Sequence, residues 1–169
     1  MEFRMAIQVK DNFLPQAEFD HLQKIILSGD FPWFYEDLIT DADDPKHYYY
    51  LTHSFYKDPG ITSHFFYLFT NFLKLIKSNG IIRIKANLYP SSKIKRRHRF
   101  HKDFLFKNKA CILYINDNNG ETCFKQKNGT IKKVLPKANR VVFFNGQEPH
   151  CSSTCTDAKR RVNVNFNYI

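Results

Sequence analysis

The sequence predicts a mainly β fold of the α+β class, a jelly roll of two sheets with N-terminal helices packed on one face of the larger sheet. Three observations support this prediction. Helical patterns occupy the first half of the chain, seven short β-rich segments follow from Ile81, and residues that favour turns separate several of them. The 169 residues are expected to form one domain, with a helical support region at 1–80 and the jelly-roll core strands at 81–169.

Two segments of the N-terminal region have apolar residues at helical spacing. The first follows Pro15 and ends at Gly29, and the second covers 61–77 with a broad apolar face that is rich in phenylalanine. A loop at 41–46 and a strand at 47–56 are predicted between them. Both helices are interpreted as packing elements, because an apolar stripe at helical spacing is typical of a face turned toward a core.

The C-terminal half consists of short segments rich in β-branched and aromatic residues, which favour strands. They are 81–89 (IIRIKANLY), 100–106 (FHKDFLF), 110–116 (ACILYIN), 121–126 (ETCFKQ), 130–135 (TIKKVL), 140–145 (RVVFFN) and 160–168 (RRVNVNFNY). Turn residues at 117–120 (DNNG), 127–129 (KNG) and 136–139 (PKAN) lie between some of these segments. Such a succession of short strands and turns is typical of a jelly roll.

Positive charge is concentrated in one part of the chain. The formal net charge is +10, and Lys and Arg are densest at 92–109. The basic segment (residues 93–99) indicates an acidic partner, such as an acidic substrate or nucleic acid, but is equally expected of a solvated surface. No apolar run is long enough for a membrane helix, and the N-terminus lacks a secretory signal, so a cytoplasmic protein without a membrane partner is expected.

The cysteines Cys111, Cys123, Cys151 and Cys155 lack the paired spacing of a disulfide framework or a zinc ribbon. We therefore expect them to be free thiols. A zinc site that used His150, Cys151 and Cys155 would be incomplete, because no second closely spaced cysteine pair is present to complete it.

His101 and Asp103 are two potential metal ligands separated by one residue. In a strand such residues point to the same face and can occupy adjacent coordination positions. His150 is the strongest candidate for a third ligand, since it follows the strand at 140–145 and could be brought across the sandwich. Two histidines and one carboxylate leave up to three positions open, which suits an Fe(II) that binds a co-substrate and O2, whereas zinc favours a nearly closed tetrahedron.

The other histidines are interpreted differently. His98 is separated from His101 by two residues, which places the two on opposite faces of a strand, so we expect His98 to contact the loop or a substrate. The histidines without a partner pattern, which we expect to be surface residues or hydrogen-bonded core residues, are His21, His47, His53 and His64.

These motifs resemble the Fe(II)- and 2-oxoglutarate-dependent oxygenases, specifically the prolyl-4-hydroxylase-like branch, over about residues 83–168. HKD at 101–103 matches the HxD motif of that family, and LYINDNNGETCF at 113–124 resembles its strand and hairpin. VLPKANRVVFFN at 134–145 resembles the segment that leads to its distal histidine. The phrases NLYP and NVNFNY resemble small stand-alone microbial or phage-encoded members.

The resemblance implies a double-stranded β-helix, the jelly roll of this family, with Fe(II) bound by His101, Asp103 and His150. It also implies 2-oxoglutarate and O2 as co-substrates, and hydroxylation of a substrate with release of succinate and CO2. A prolyl peptide is the default substrate of the branch, although similar folds hydroxylate other molecules.

The family also has a basic residue on the last strand that pairs with the remote carboxylate of 2-oxoglutarate. Arg160 and Arg161 both qualify by their distance from His150. Alternation places Arg160 on the face of the valines at 162 and 164, and Arg161 on the face of the asparagines. Because the apolar face is taken as the interior one, we expect Arg160 to bind the carboxylate, with Arg161 as the alternative if a bulge re-aims the side chains.

Three further residues are implied by the resemblance as contacts of 2-oxoglutarate. They are Tyr114, Tyr89 and Asn87, the last two on one face of the same strand. Core packing is the alternative for both tyrosines. The sequence departs from the family between residues 89 and 101, which are long, basic and without the usual glycine, and at Asn139, where a turn glycine is common.

Two other functions remain open from the sequence. The first is a basic nucleic-acid-binding module that retains the jelly roll, and the second is a cupin-like metal enzyme that does not use 2-oxoglutarate. The first would bind with a steep dependence on salt, and the second would tolerate the loss of the arginine on the last strand.

Overall fold

The computed structural model describes residues 6–37 and 49–169, so the loop predicted at 41–46 and residues 47 and 48 of the predicted strand lie outside the described residues. The strands are β1 (Gln8–Lys10), β2 (Phe34–Glu36), β3 (Tyr50–Lys57), β4 (Gly60–Ile61), β5 (Ile81–Pro90), β6 (Lys109–Tyr114), β7 (Thr122–Lys125), β8 (Ile131–Val134), β9 (Arg140–Asn145), β10 (His150–Ser152) and β11 (Arg160–Tyr168). The helices are α1 (Gln16–Ile26), a 3-10 helix (His64–Phe69) and α2 (Thr70–Leu75).

The strands form two antiparallel sheets. The major sheet has eight strands in the order β1-β9-β6-β11-β5-β3-β2, with β4 paired to β3 at its edge. The minor sheet has three strands in the order β10-β7-β8. The prediction of a mainly β double-stranded β-helix is confirmed. None of the helices in the described part of the chain is long and apolar enough to cross a membrane.

Strand β11 lies at the centre of the major sheet, and its alternating sequence gives that sheet two different faces. Val162, Val164 and Phe166 belong to the main apolar core together with residues of α1, the 3-10 helix and α2. The ring of Phe166 stacks on that of Phe72 at a centroid distance of 4.3 Å. Burial of one such aromatic side chain contributes about 1.5–3 kcal/mol, so this packing is a principal source of stability.

A second apolar cluster joins the minor sheet to the other face of the major sheet. Phe124 of β7 and Phe144 of β9 are fully buried and meet edge to face, with their ring centroids 4.9 Å apart. Ile112 and Tyr114 of β6 belong to the same cluster. This cluster closes one end of the space between the sheets, and the polar residues of β5 and β11 lie beyond it.

The second predicted helix begins later than its apolar pattern suggests. Gly60–Ile61 pairs with β3, so the helical segment starts only at His64 and has 3-10 geometry before α2. The Ser63 side chain accepts a hydrogen bond from the Phe65 backbone N–H and marks the start. Strand pairing with Tyr56 therefore prevails over the helical spacing of Ile61.

The segment 100–106 was predicted as a strand and is mostly irregular. It forms one isolated antiparallel bridge, between His101 and His150. Strand β10 was not predicted, because three residues are too few for an alternating pattern to be recognised. These two deviations lie together at the site described next.

Candidate metal centre

His101, Asp103 and His150 meet between the two sheets. One ligand atom from each lies within 4.8 Å of the other two. The backbones of the two histidines are joined by a pair of N–H···O bonds, both 2.9 Å, which places their rings side by side at 4.7 Å. The Nε2 atoms of His101 and His150 lie 3.9 Å from Oδ1 and Oδ2 of Asp103, respectively. The bridge thus replaces the predicted strand as the element that positions the two histidines.

The hydrogen bonds of the two imidazoles determine which nitrogen faces the centre. Nδ1 of His150 lies 3.0 Å from the Glu148 carbonyl oxygen, and Nδ1 of His101 lies 3.4 Å from that of Arg99. A carbonyl oxygen can only accept, so Nδ1 carries the proton in each neutral ring and Nε2 keeps its lone pair. Burial lowers the pKa of His101, and the neighbouring His150 lowers it further, which favours the neutral ligand form.

Asp103 is held by donors on both carboxylate oxygens. Oδ2 accepts hydrogen bonds from Asn165 at 2.8 Å and Asn167 at 3.0 Å, and Oδ1 pairs with the Arg83 guanidinium at 2.7 Å. Burial alone would raise the pKa of Asp103, but Arg83, His150 and the two amides outweigh it and hold the pKa well below its usual range. Since two donors already occupy Oδ2, Oδ1 is the oxygen with a lone pair left for a metal.

The three residues fit a divalent iron. The side chains of Asp103 and His150 are only 6% and 5% exposed, and in the neutral tautomer set by the carbonyl contacts each imidazole turns the Nε2 lone pair to the centre. Two imidazoles and one carboxylate suit a metal that retains open positions for other ligands. Within the described residues the group of potential ligands contains no cysteine, and all four cysteines are free and buried. The expectation of free thiols is therefore confirmed for these residues.

A polar wall of β5 and β11 extends from the metal centre. Asn87 and Tyr89 lie on the same face of β5, as predicted, and both line the cavity that contains the three ligands. The Asn87 amide donates to the Asn163 side-chain oxygen at 3.1 Å across the two strands. The polar wall is thus fixed by hydrogen bonds between the strands and by the alternation of each strand.

Arg161, and not Arg160, faces this cavity. Its side chain is fully buried, and its guanidinium donates to Thr122 Oγ1 at 2.8 Å and to the Ser153 carbonyl oxygen at 3.1 Å. Gly120 leaves room for it, because a Cβ there would lie 2.7 Å from Arg161 Cδ. Arg160 instead donates to the Leu27 carbonyl oxygen at 2.6 Å, on the helical side of the sheet.

The prediction that Arg160 faces the site is therefore wrong. It assumed that the apolar face of β11 lines the interior of the jelly roll. That apolar face is covered by the helices, and the cavity between the sheets is lined by the asparagine face. A polar cavity that binds charged ligands favours this arrangement, since buried charges require polar partners.

Tyr114 is fully buried one layer behind the cavity. Its hydroxyl donates to Thr122 Oγ1 at 2.7 Å, the same oxygen that accepts from Arg161. Two donors fill the lone pairs of that oxygen, so the Thr122 hydroxyl is left to donate its own proton into the cavity. Sequence reasoning missed Thr122, although it lies in the GET of the hairpin motif that was recognised.

His98 belongs to the wall beside Tyr89. Its ring stacks on Tyr89 at 5.3 Å, and Nδ1 lies 2.7 Å from Ser152 Oγ. Burial lowers its pKa to about 3, with the charge of Arg161 contributing, so the ring is neutral near pH 7. His98 is not part of the ligand group.

The basic segment runs beside β10 at the edge of the site. The His98 backbone N–H donates to the Ser152 carbonyl oxygen, and the Thr154 N–H donates to that of Arg96, both at 2.9 Å. Every residue of the segment except His98 is exposed. The segment thus has a fixed backbone and a positively charged outer surface.

Comparison with solved structures supports the assignment of the fold. The chain is similar to a prolyl-4-hydroxylase from Pseudomonas putida (TM-score 0.67, 13% identity, 96% of this chain and 91% of that one). It is also similar to a 2-oxoglutarate–Fe(II) oxygenase family protein from Burkholderia pseudomallei (0.69, 11%, 96% and 83%) and to a prolyl hydroxylase from Trichoplax adhaerens in complex with a hypoxia-inducible-factor peptide (0.68, 15%, 96% and 83%). No protein-family model and no curated protein sequence matches the chain.

These likenesses extend over almost the whole chain, beyond the residues 83–168 in which the sequence resemblance was recognised. The chain has the fold of the 2-oxoglutarate- and Fe(II)-dependent oxygenases, with an HxD…H triad at the position where its two sheets meet.

Proposed function

We propose that this protein is an Fe(II)- and 2-oxoglutarate-dependent dioxygenase that hydroxylates its substrate and releases succinate and CO2. The observation that carries the proposal is the presence of a 2-His-1-carboxylate triad and a fully buried arginine in one cavity. A metal-binding jelly roll without 2-oxoglutarate has no need of the buried guanidinium, whose burial is costly unless an anion pairs with it.

His101 Nε2, Asp103 Oδ1 and His150 Nε2 would hold the iron. When bound, Fe(II) would supply the oxidative chemistry with O2 that protein side chains lack. The protein's own contribution is orientation. Arg83 and the two asparagines fix the Asp103 carboxylate, and the backbone bridge fixes the two imidazoles.

Arg161 and Thr122 would bind the remote carboxylate of 2-oxoglutarate. The guanidinium offers charge-assisted hydrogen bonds, and the Thr122 hydroxyl offers a third donor whose direction is fixed by Tyr114 and Arg161 behind it. Tyr89 lies under the guanidinium, with its ring centroid 5.4 Å from Arg161 Cζ, and keeps it in place. In this assignment Tyr114 acts through Thr122, and Arg161 takes the role first expected of Arg160.

The experiment is anaerobic addition of Fe(II) and then 2-oxoglutarate to the apoprotein. We expect a weak visible charge-transfer band, and slow succinate formation on admission of air. His150→Ala should abolish both, whereas the matched control His21→Ala, at an exposed position of α1, should retain both. If the wild-type protein gives neither the band nor succinate, the proposal is refuted. Succinate formation that survives Arg161→Gln unchanged would show that another residue binds the remote carboxylate of 2-oxoglutarate.

A prolyl peptide is the proposed substrate class by analogy with the similar hydroxylases. This finer assignment is tested by incubating the active protein with proline-containing peptides and measuring a mass increase of one oxygen atom. Hydroxylation of another residue, or none with any peptide, would overturn it.

A second candidate function is nucleic-acid binding, which the exposed basic segment favours. Its affinity should fall steeply as salt is raised and should be unaffected by His150→Ala. Replacing Lys93 and Lys95, both exposed, by glutamine should weaken such binding without changing succinate formation. Equal affinity of this double variant and the wild type would exclude the segment as the binding surface.

A further inference from the structure

The residues that line the cavity carry an excess of positive charge. Arg83, Lys85 and Arg161 all line it, and among the described residues that line it Asp103 is the only carboxylate. His101 and His150 also line it, and as the proposed metal ligands they bind a metal in their neutral form. The protein thus contributes two more positive than negative charges to this space.

The proposed metal and co-substrate do not remove this excess. Fe(II) brings two positive charges and 2-oxoglutarate brings two negative charges, so together they leave the balance unchanged. Arg83 is paired with Asp103 at 2.7 Å, and Arg161 is assigned to the remote carboxylate of 2-oxoglutarate. Lys85 is then the one cation of these three to which no anionic partner is assigned.

Lys85 forms no ion pair with a carboxylate in the part of the chain that the structure describes. Its ammonium donates to the Tyr50 hydroxyl at 3.2 Å and lies 5.4 Å from the centroid of that ring. Burial lowers the pKa of Lys85 to about 8, and Arg83 contributes as a like charge. Lys85 is half-buried, and a partly desolvated ammonium without an anionic partner is unfavourable, so an anionic ligand would relieve this cost.

The hydroxyl of Tyr50 adds a second donor at the same point. Because its oxygen accepts from Lys85, its own proton is free to be donated to a ligand. Burial raises the pKa of Tyr50, so the hydroxyl stays protonated. Lys85 lies directly opposite Asn165 in the strand register, and the Asn165 amide donates to the metal-ligand candidate Asp103. The two donors are therefore level with the metal centre along β5.

We propose that Lys85 and Tyr50 form the anion-binding position of the primary substrate, which therefore carries a carboxylate or phosphate group. This inference rests on the proposed oxygenase function and deepens it, since it names the substrate class of the same site. An ammonium is a point charge without the fixed fork of a guanidinium, so it accommodates either anion. The experiment has to distinguish the two.

The test uses the diamagnetic Zn(II)-loaded protein saturated with 2-oxoglutarate, and follows the side-chain nitrogen resonance of Lys85 by NMR. The resonance is assigned by its absence in Lys85→Met. Acetate and inorganic phosphate are titrated separately, with acetamide as the neutral control. We expect a saturable shift with one or both anions and none with acetamide. No saturable shift with either anion would overturn the proposal.

Calorimetric titration of 2-oxoglutarate into the Zn(II)-loaded protein separates this proposal from the proposed function. Lys85→Met should change the Kd of 2-oxoglutarate by less than about twofold, while the affinity for the bound anion falls by about tenfold or more. Lys127→Met, at an exposed turn position, should match the wild type in both titrations. A tenfold loss of 2-oxoglutarate affinity in Lys85→Met would assign Lys85 to the co-substrate and overturn the proposal.

The proposal of an oxygenase function is refuted independently if the wild-type protein does not bind 2-oxoglutarate at all. In that case the anion titration of the Zn(II)-loaded protein without 2-oxoglutarate still reports on Lys85. An active wild-type protein whose Lys85→Met variant keeps its anion affinity would leave the function intact and refute the substrate class alone.

Discussion

Exchanging each of the two adjacent arginines of β11 for glutamine tests the site most directly. Arg161 is fully buried and faces the cavity, whereas Arg160 contacts the Leu27 carbonyl oxygen on the helical face. Both substitutions remove one positive charge from neighbouring positions of one strand. The two variants therefore have the same amino-acid composition and differ only in which face of the sheet loses the positive charge.

The expected magnitude follows from burial. Removing one partner of a buried, hydrogen-bonded charge pair costs about 2–5 kcal/mol of binding free energy. Arg161→Gln should accordingly raise the Kd of 2-oxoglutarate by roughly 30-fold to several thousand-fold. Arg160→Gln removes one hydrogen bond to a backbone carbonyl, which contributes about 0.5–1.5 kcal/mol to the free energy of unfolding. It should leave the Kd within about twofold of the wild type.

The assay is calorimetric titration of 2-oxoglutarate into Mn(II)-loaded protein, with thermal unfolding of each apoprotein as the control for folding. Arg161→Gln should unfold at a temperature close to or above that of the wild type, because the substitution removes a buried charge that has no carboxylate partner in the described residues. The reasoning is refuted if Arg160→Gln abolishes 2-oxoglutarate binding while Arg161→Gln binds normally.

Three further substitutions probe the site and the core. Thr122→Val removes the acceptor shared by Tyr114 and Arg161. It should weaken 2-oxoglutarate binding about tenfold and lower the unfolding free energy by about 1–3 kcal/mol. A Kd of 2-oxoglutarate equal to that of the wild type would contradict the role of the hydroxyl. Phe166→Ala should cost about 3–5 kcal/mol in urea unfolding, because the ring is 1% exposed and stacks on Phe72; a loss below 1 kcal/mol would contradict the packing. The depressed pKa of His98 means that its neutral form is stabilised in the folded state, so its contribution is full above pH 6.5 and declines by about 1.4 kcal/mol per pH unit as the pH falls toward 3. Urea unfolding at pH 7 and pH 5 should therefore show a smaller difference for His98→Asn than for the wild type, and an equal difference would refute this account.

Much of the fold was predictable because periodicity reports which face of a strand is buried. The alternation in β11 and the apolar pattern of α1 correctly indicated a strand and a packing helix. The segment 100–106 was misjudged for a physical reason. Its Phe residues favour a strand, yet the segment pairs with β10 only at His101. That pairing depends on residues about fifty positions away in the sequence.

The ligand triad could be predicted because its motif and order are local features of the sequence. The choice between Arg160 and Arg161 could not, since alternation separates two faces but does not say which one the helices will cover. Lys85 and Thr122 were missed for a related reason. Their significance depends on which other charges and donors face the same cavity, and this is a property of the pairing between β5, β7, β10 and β11.

The two faces of β11 have different roles, and this difference explains why the site can be so polar. Asn165 and Asn167 each donate to Asp103, while their own side-chain oxygens accept no hydrogen bond within the described residues. Such buried oxygens cost about 1–3 kcal/mol each. Phe166, which lies between the two asparagines in sequence, points to the opposite face and packs against Phe69 and Phe72. The stability gained on the helical face therefore offsets the cost of the polar face, and substitutions that weaken the aromatic core should also reduce metal binding by unfolding the strand that orients Asp103.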